Sequence, residues 1–279
     1  MVRSKRKIRR VKDRGRRRIF IAASFALLFA AAVFIVWQNV PPSRRPKLST
    51  ARFSIPHSSS PRLALIIDDG GYNSEDMKGM MGMGKPMTFA ILPNAPHARE
   101  AALMAHREGS EVILHLPMEP KDADKYSLER NTLRAGMNKE RLQKIVGDSL
   151  KQVPYARGVN NHMGSHATED PRLMQALMEV LQEKDLYFID SHTSPRSVGP
   201  DMARKAGVAS GVNAKFIDHE KNVEAIKEAL RLVMRKAKQE GKAVAIGHPH
   251  PYTAQAIREM LPEIAAEGIR LVLASEVVG

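Results

Sequence analysis

The 279-residue chain has no cysteine, one tryptophan, and only 5% aromatic residues in total. The lack of cysteine excludes a disulfide framework and fits an exported protein that is stable without one. Acidic residues are nearly absent from the first 62 positions, which hold 16 Lys/Arg against Asp13 alone. Positions 63–279 therefore keep 28 of the 44 basic and 29 of the 30 acidic residues, and their net charge is close to zero. The chain's formal +14 thus belongs to its N-terminal segment. A nucleic-acid-binding domain carries its basic stripe in the folded part, so no nucleic-acid partner is expected. No repeat of fixed length and no Gly-x-Ser-x-Gly elbow occurs, which argues against a repeat architecture and a serine hydrolase, although Ser165 and Ser191 neighbour histidines.

The basic run 1–18 is followed by Ile19 to Trp37, with no charge and only Ser24 polar. Such a run is long enough to span a bilayer's hydrocarbon core as a helix. The flanking Lys/Arg predict a cytoplasmic N-terminus, and Trp37 stands where an interfacial aromatic would. A cleaved signal peptide would show a small-x-small site, which QNVPPSRRP lacks. The expectation is an uncleaved inner-membrane anchor at 19–37, a Pro/Ser-rich linker at 38–62, and a domain at 63–279 on the periplasmic or extracytoplasmic side.

From Leu63 onward, short apolar runs alternate with amphipathic stretches, the pattern of βα units. Strands are predicted at 63–67, 87–92, 111–115, 157–160, 186–190, 214–217, 243–247 and 270–274. Helices are predicted over 96–107, 138–152 (Asn138 as N-cap), 168–184 (after Thr168), 220–240 and 253–266. Residues 117–137 form a long aperiodic loop, of a kind that is often functional. Met77, Met80, Met81 and Met83 are expected to pack in the core or a lid.

The polar residues recur at the strand ends: Asp68 and Asp69 after LALII, His115 and Glu119 after EVIL, Asn160, Asn161 and His162 after GV, Asp190 and His192 after LYFI, and His248 and His250 after AVAIG. In parallel α/β folds the loops after the strands converge on one rim, where ligands bind. Carboxylate and neutral imidazole together suit a divalent metal such as Zn²⁺. Asp68 and Asp69 are adjacent, so their side chains are expected to diverge, one ligating and the other acting as base or orienting a histidine. Asn160 and Asn161 either hold their loop or meet substrate hydroxyls, with Asp190, His192 and His250 as further substrate-binding candidates. His162 and His166 are spaced four apart, but Gly164 lies between them and the helix starts only after Thr168. His166 is therefore assigned to a loop and His162 remains a ligand candidate. A His-x-His zinc pair at 248–250 is disfavoured, because that pair belongs after a first strand, which here carries Asp-Asp.

LALIIDDGG, EVILHLPMEP, GVNNHMGSHAT, LYFIDSHT and AIGHPHPYT, in that order, resemble the divergent branch of the polysaccharide deacetylases. The resemblance spans essentially all of 63–279. It implies a distorted (β/α) barrel of about seven mainly parallel strands, where the residues alone would equally fit an open doubly wound sheet. It also implies metal-dependent removal of acetyl groups from an N-acetylated cell-envelope glycan, with Asp68 as base, Asp69 as ligand and His248 as acid. The main family places two histidines four apart after the third strand, whereas this chain has His115 and then Glu119. The ligand set is expected to be Asp69, His115 and His162, with one containing Glu119 as the alternative. Loss of that histidine pair also admits a non-catalytic glycan-binding or scaffolding module.

Overall fold

A computed structural model describes residues 60–279. The basic segment, the apolar run and nearly all of the linker lie outside the described residues. No helix among those described is long and apolar enough to cross a membrane.

Strands and helices alternate along the chain: β1 (Arg62–Gly70), α1 (Ser74–Met81), β2 (Thr88–Ile91), α2 (Ala98–Arg107), β3 (Glu111–Met118), α3 (Lys139–Gln152), β4 (Ala156–Met163), α4 (Pro171–Glu183), β5 (Tyr187–Asp190), α5 (Gly199–Ala206), β6 (Ser210–Phe216), α6 (Val223–Glu240), β7 (Lys242–Gly247), α7 (Pro251–Ala266) and β8 (Arg270–Val272). Each strand pairs in parallel with the next from β1 to β7, and β7 returns to β1. Seven strands thus close a barrel, which excludes the open sheet. The closure is uneven. The upper half of β1, Ile66 to Gly70, pairs with β2, while its lower part, Arg62 to Ala64, pairs with β8. The four-residue β2 reaches only the top of β1, and β8 fills the gap beneath it.

The strands read as nearly continuous apolar runs because helices cover their outer face and the barrel interior faces the other; all eight residues of β3 are buried. Alternation within each strand divides the core in two. Leu63, Leu65, Ile67, Phe89, Leu114, Phe188 and Ala245 join the large cluster under the helices. Ala64, Ile66, Ala90, Ile113, Tyr187, Ile189, Val244 and Ile246 fill the barrel interior. Each fully buried Val, Leu, Ile or Phe among them contributes about 1.5–3 kcal/mol. At the lower end of the interior, Glu111 Oε1 accepts hydrogen bonds from Thr88 Oγ1 at 3.0 Å, Tyr187 Oη at 2.8 Å and the Ser275 amide at 3.1 Å.

The inward positions have period two. Continuing Ala64 and Ile66 along β1 gives Asp68. Ile113 leads to His115, Tyr187 and Ile189 lead to Ser191, and Val244 and Ile246 lead to His248. The barrel interior is therefore polar at its floor, apolar in its middle, and lined with carboxylate and imidazole at the carboxyl ends of the strands.

The helices follow their caps. Asn138 caps α3 by accepting from the Arg141 amide, as the sequence predicts. In α4 the cap is Asp170, which accepts from the Arg172 and Leu173 amides ahead of Pro171. Thr168 instead lies buried in a short 3₁₀ turn, bonded to the Gly164 carbonyl. Helices α1 and α5 lie outside the helices that the sequence pattern predicts. The glycines of the methionine segment hide the period of α1, yet Met77, Met80 and Met81 are buried in the core as expected. β6 begins at Ser210, ahead of its apolar run, because SGVN is ordered by pairing with β5 and β7 rather than by its own hydrophobicity.

Candidate active site

Three of the strand-end residues meet at one point. Asp69 Oδ1 lies 3.2 Å from His115 Nε2 and 3.0 Å from His162 Nδ1, and the two ring nitrogens are 3.1 Å apart. Asp68 Oδ2 lies 3.6 Å from the same His115 nitrogen. The two aspartates thus converge on His115 rather than diverge. The reason is backbone geometry: Asp69 has φ 55°, a left-handed conformation, and the β1–β2 register shifts between Ile67 and Gly70. The alternation of a regular strand is broken there, so consecutive side chains serve one site. The next residue but one, Gly71, has φ 106°, and a Cβ there would stand 3.0 Å from Ala95 Cβ. Asn94, Met163 and His192 also have positive φ, at the exits of β2, β4 and β5. Such backbone strain gathers at functional rims.

Asn160, fully buried on β4, binds this cluster to its surroundings. Its Oδ1 is 2.8 Å from His115 Nδ1, and its Nδ2 donates to Asp68 Oδ1 at 2.8 Å and to Ser191 Oγ at 3.3 Å. A carbonyl oxygen only accepts, so His115 carries a proton on Nδ1, which leaves Nε2 as the nitrogen a metal ion would take.

His248 stands across the cluster, with Nε2 3.9 Å from Asp69 Oδ2. Its Nδ1 is 2.9 Å from Asp218 Oδ1, and its backbone amide donates to Asp218 Oδ2 at 2.6 Å. Thr253 Oγ1 donates to that same oxygen at 2.9 Å.

The protonation states follow from these contacts. Burial raises the Asp68 pKa, and the imidazoles of His115 and His248 only partly oppose it. Burial also works to raise Asp69, but His115 and His162 outweigh it and hold this carboxyl well below the usual range. For His162, burial favours the neutral ring, yet Asp69 and Glu129 prevail and hold the pKa up at about 10. For His248, burial is likewise outweighed, chiefly by Asp218, giving about 9. Asp218 itself is lowered: the His248 ring, the His248 amide and Thr253 overcome the effect of its burial.

The remaining candidates lie outside this cluster. Glu119, the alternative ligand, accepts from the Ala135 amide at 3.0 Å and faces His166 at 3.3 Å and Arg134 at 3.6 Å, so it fastens the long loop instead. Asn161 accepts from the Ser191 amide and donates to the Met163 carbonyl, holding its own loop. Asp190 is buried and occupied by the His192 amide and Ser197 Oγ. The His192 side chain is exposed and lines a separate cavity with Gly211, Asn213 and Lys236. His250 is half-buried at the start of α7, its ring 6.2 Å from that of His248 and 5.0 Å from that of Tyr252. Glu129 and Asp218 are not among the residues the sequence pattern singles out, and Ser191 enters there only as a neighbour of His192. Asp218 follows AKFI just as Asp68 follows LALII, and that signal would have found it. Glu129, inside an aperiodic loop, gives none.

The donor set suits a divalent cation. Three ligand atoms at mutual distances of 3.0–3.2 Å match the separation of about 3.3 Å that tetrahedral bonds near 2.0–2.1 Å impose. Asp69 Oδ1 is buried without a properly aligned hydrogen bond, an unfavourable state that a metal–oxygen bond relieves. Asp69, His115 and His162 would be the residues that hold such an ion.

Comparison with known proteins agrees with this architecture. Residues 65–278 match the family described as divergent polysaccharide deacetylase. The uncharacterized protein YibQ of Escherichia coli (strain K12) is 38% identical over 221 residues, covering 78% of this chain and 67% of that protein. An uncharacterized protein of Haemophilus influenzae (strain ATCC 51907 / DSM 11121 / KW20 / Rd) is 36% identical over 224 residues, covering 80% and 79%. The crystal structure of uncharacterized protein ATU2773 from Agrobacterium tumefaciens C58 aligns with a TM-score of 0.74 at 20% identity, covering 80% of this chain and 91% of that one, a likeness of fold. With a match across the whole barrel and relatives this similar, the chain belongs to the divergent polysaccharide deacetylase family.

Proposed function

We propose that the protein is a metal-dependent hydrolase that removes acetyl groups from an N-acetylated cell-envelope glycan, anchored in the inner membrane by residues 19–37 with its barrel on the extracytoplasmic side. The observation that carries this reading is the convergence of Asp69, His115 and His162, flanked by a buried carboxylate and a carboxylate-held imidazole.

A divalent ion such as Zn²⁺ would polarise the acetyl carbonyl and acidify a water molecule. Asp68 accepts the proton of the attacking water. A carboxylate raised toward neutrality by burial suits that task better than an ordinary one, and Asn160 fixes the orientation of one oxygen. His248 donates a proton to the departing amine. Asp218 keeps its ring charged and turns Nε2 toward the cluster. The amide C–N bond breaks, a C–O bond forms, and the products are acetate and a free amino sugar.

Acetate release by the full-length protein, supplied with Zn²⁺, Co²⁺ or Mn²⁺, should be measured against N-acetylated chito-oligosaccharides and peptidoglycan fragments. The wild type is expected to release acetate, and Asp69→Asn and His248→Ala to lose at least 100-fold of the rate. No release from either substrate class with any metal would refute the proposal. Fractionation should recover the intact chain in the inner membrane, and a soluble, shortened chain would refute the anchor.

A further inference from the structure

His115 and His162 face the cluster through different nitrogens, Nε2 in one and Nδ1 in the other. For His115 the tautomer is fixed by Asn160, as shown above. For His162, a lone pair on Nδ1 requires the proton on Nε2. That nitrogen is buried and has no aligned hydrogen bond among the described residues. The group facing it is a carboxylate, Glu129 Oε1, at 3.3 Å.

Glu129 belongs to the long loop after β3, and this part of the loop is closely held. The Glu129 carbonyl accepts from both the amide and Oγ1 of Thr132, at 3.2 and 2.6 Å, closing a turn. The Arg130 carbonyl accepts from Asn94 Nδ2 at 3.2 Å. Farther on, the Leu133 amide donates to the Pro117 carbonyl and the Glu119 amide donates to the Leu133 carbonyl, so the loop returns to the end of β3. Glu119 Oε2 completes the fastening at the Ala135 amide. The loop therefore carries a carboxylate to the outer side of a candidate ligand on a different strand. Charged and only partly exposed, Glu129 has no other side-chain partner among the contacts of the described residues.

We infer that Glu129 is a positioning residue that sets the tautomer and orientation of His162, directing its Nδ1 lone pair at the point where Asp69 and His115 meet. The inference rests on the metal-site reading proposed above. A carboxylate on the far nitrogen of a ligating histidine fixes the ring and raises its basicity, and removing such a partner typically lowers metal affinity 10- to 100-fold. Glu119, at the position where the main family has its second histidine, then fastens the loop that bears Glu129, and so supports the histidine supplied from β4 without ligating.

The test is Zn²⁺ affinity of the full-length protein, by competition with a chromophoric chelator, together with the visible absorption of the Co²⁺-loaded protein. Glu129→Ala is expected to bind Zn²⁺ 10- to 100-fold more weakly and to alter the Co²⁺ bands. Glu129→Gln keeps an acceptor for Nε2–H but loses the charge, and is expected to fall between Ala and wild type with near-native Co²⁺ bands. A merely structural role for Glu129 would leave the Co²⁺ bands unchanged in every folded variant. If Glu129→Ala does not fold, Glu129→Gln carries the test, with a loss above threefold expected. Affinities within twofold of wild type and unchanged Co²⁺ bands in the folded variants would overturn the inference and leave the metal reading standing. A wild type that binds neither ion would overturn the metal reading and the inference with it.

Discussion

Asp218 grips His248 at two points, its Oδ1 2.9 Å from the ring Nδ1 and its Oδ2 accepting the backbone amide of the same residue at 2.6 Å. One carboxylate thereby sets both the orientation of the ring and its charge. Burial alone would lower the His248 pKa below its ordinary value near 6.5, and Asp218 reverses that to about 9. The imidazolium needed by a general acid is thus the dominant form at neutral pH.

Asp218→Asn should bring the basic limb of the kcat/KM profile down from near pH 9 toward pH 7 and cut the plateau about 10- to 100-fold. Stability should follow the same linkage in the metal-free protein. The folded pKa lies above the unfolded one, so the stabilisation from this pair is complete below about pH 6.5 and is lost as pH rises through about 9. Thermal melts from pH 6 to 10 should show this decline in the wild type and a flatter profile in Asp218→Asn. Superimposable profiles would contradict the assignment.

Metal binding should release protons. In the metal-free protein Asp69 and Glu129 hold His162 at about 10, so at pH 7.5 its ring is charged, whereas a ligating imidazole is neutral. Isothermal titration with Zn²⁺ in buffers of different ionisation enthalpy should give about one proton released per ion at pH 7.5. The proton count should fall as pH passes upward through about 10. No dependence on buffer at pH 7.5 would contradict the arrangement.

Asn160 serves three partners, His115, Asp68 and Ser191, from a fully buried position, and its substitutions should separate polarity from charge. Asn160→Ala strands Asp68 and His115, at a cost of about 1–3 kcal/mol for each. A domain of this size loses roughly 2–4 °C of melting temperature per kcal/mol. Asn160→Asp should be the more harmful at neutral pH, because a second carboxylate would lie where Nδ2 now sits 2.8 Å from Asp68 Oδ1. Its melting temperature should recover as pH falls and one of the two carboxyls is protonated. Asn160→Asp melting at or above Asn160→Ala at pH 7 would count against the described network.

Much of this site was legible in the sequence because its residues lie on strands. Asp68, His115, Asn160 and His162 occupy inward positions on their strands, His248 follows β7 in the same phase, and the apolar runs before them show which strand each one ends. Asp69 was legible as a residue but not in its direction, since its positive φ depends on the β1–β2 bulge rather than on local propensity. Glu119 misled because sequence spacing cannot tell a residue turned into the barrel from one turned toward its own loop. Asp190 ends β5 and His192 follows it, yet the first is occupied by the His192 amide and Ser197 Oγ and the second is exposed. Glu129 was invisible, because a loop held by tertiary contacts imposes no periodicity on its residues. The ring closure was equally hidden, since a closed barrel and an open sheet share the same alternation of strands and helices.

The central claim is that Asp69, His115 and His162 hold one divalent ion on which hydrolysis depends. It is tested most directly by titrating Zn²⁺ into chelator-treated full-length protein while following acetate release from N-acetylated glycan fragments. The account predicts that activity rises linearly to a break at one equivalent of metal in the wild type, and stays at background in His115→Ala and His162→Ala. Acetate release that is complete before any metal is added, or that is equal in the wild type and both variants, would contradict it.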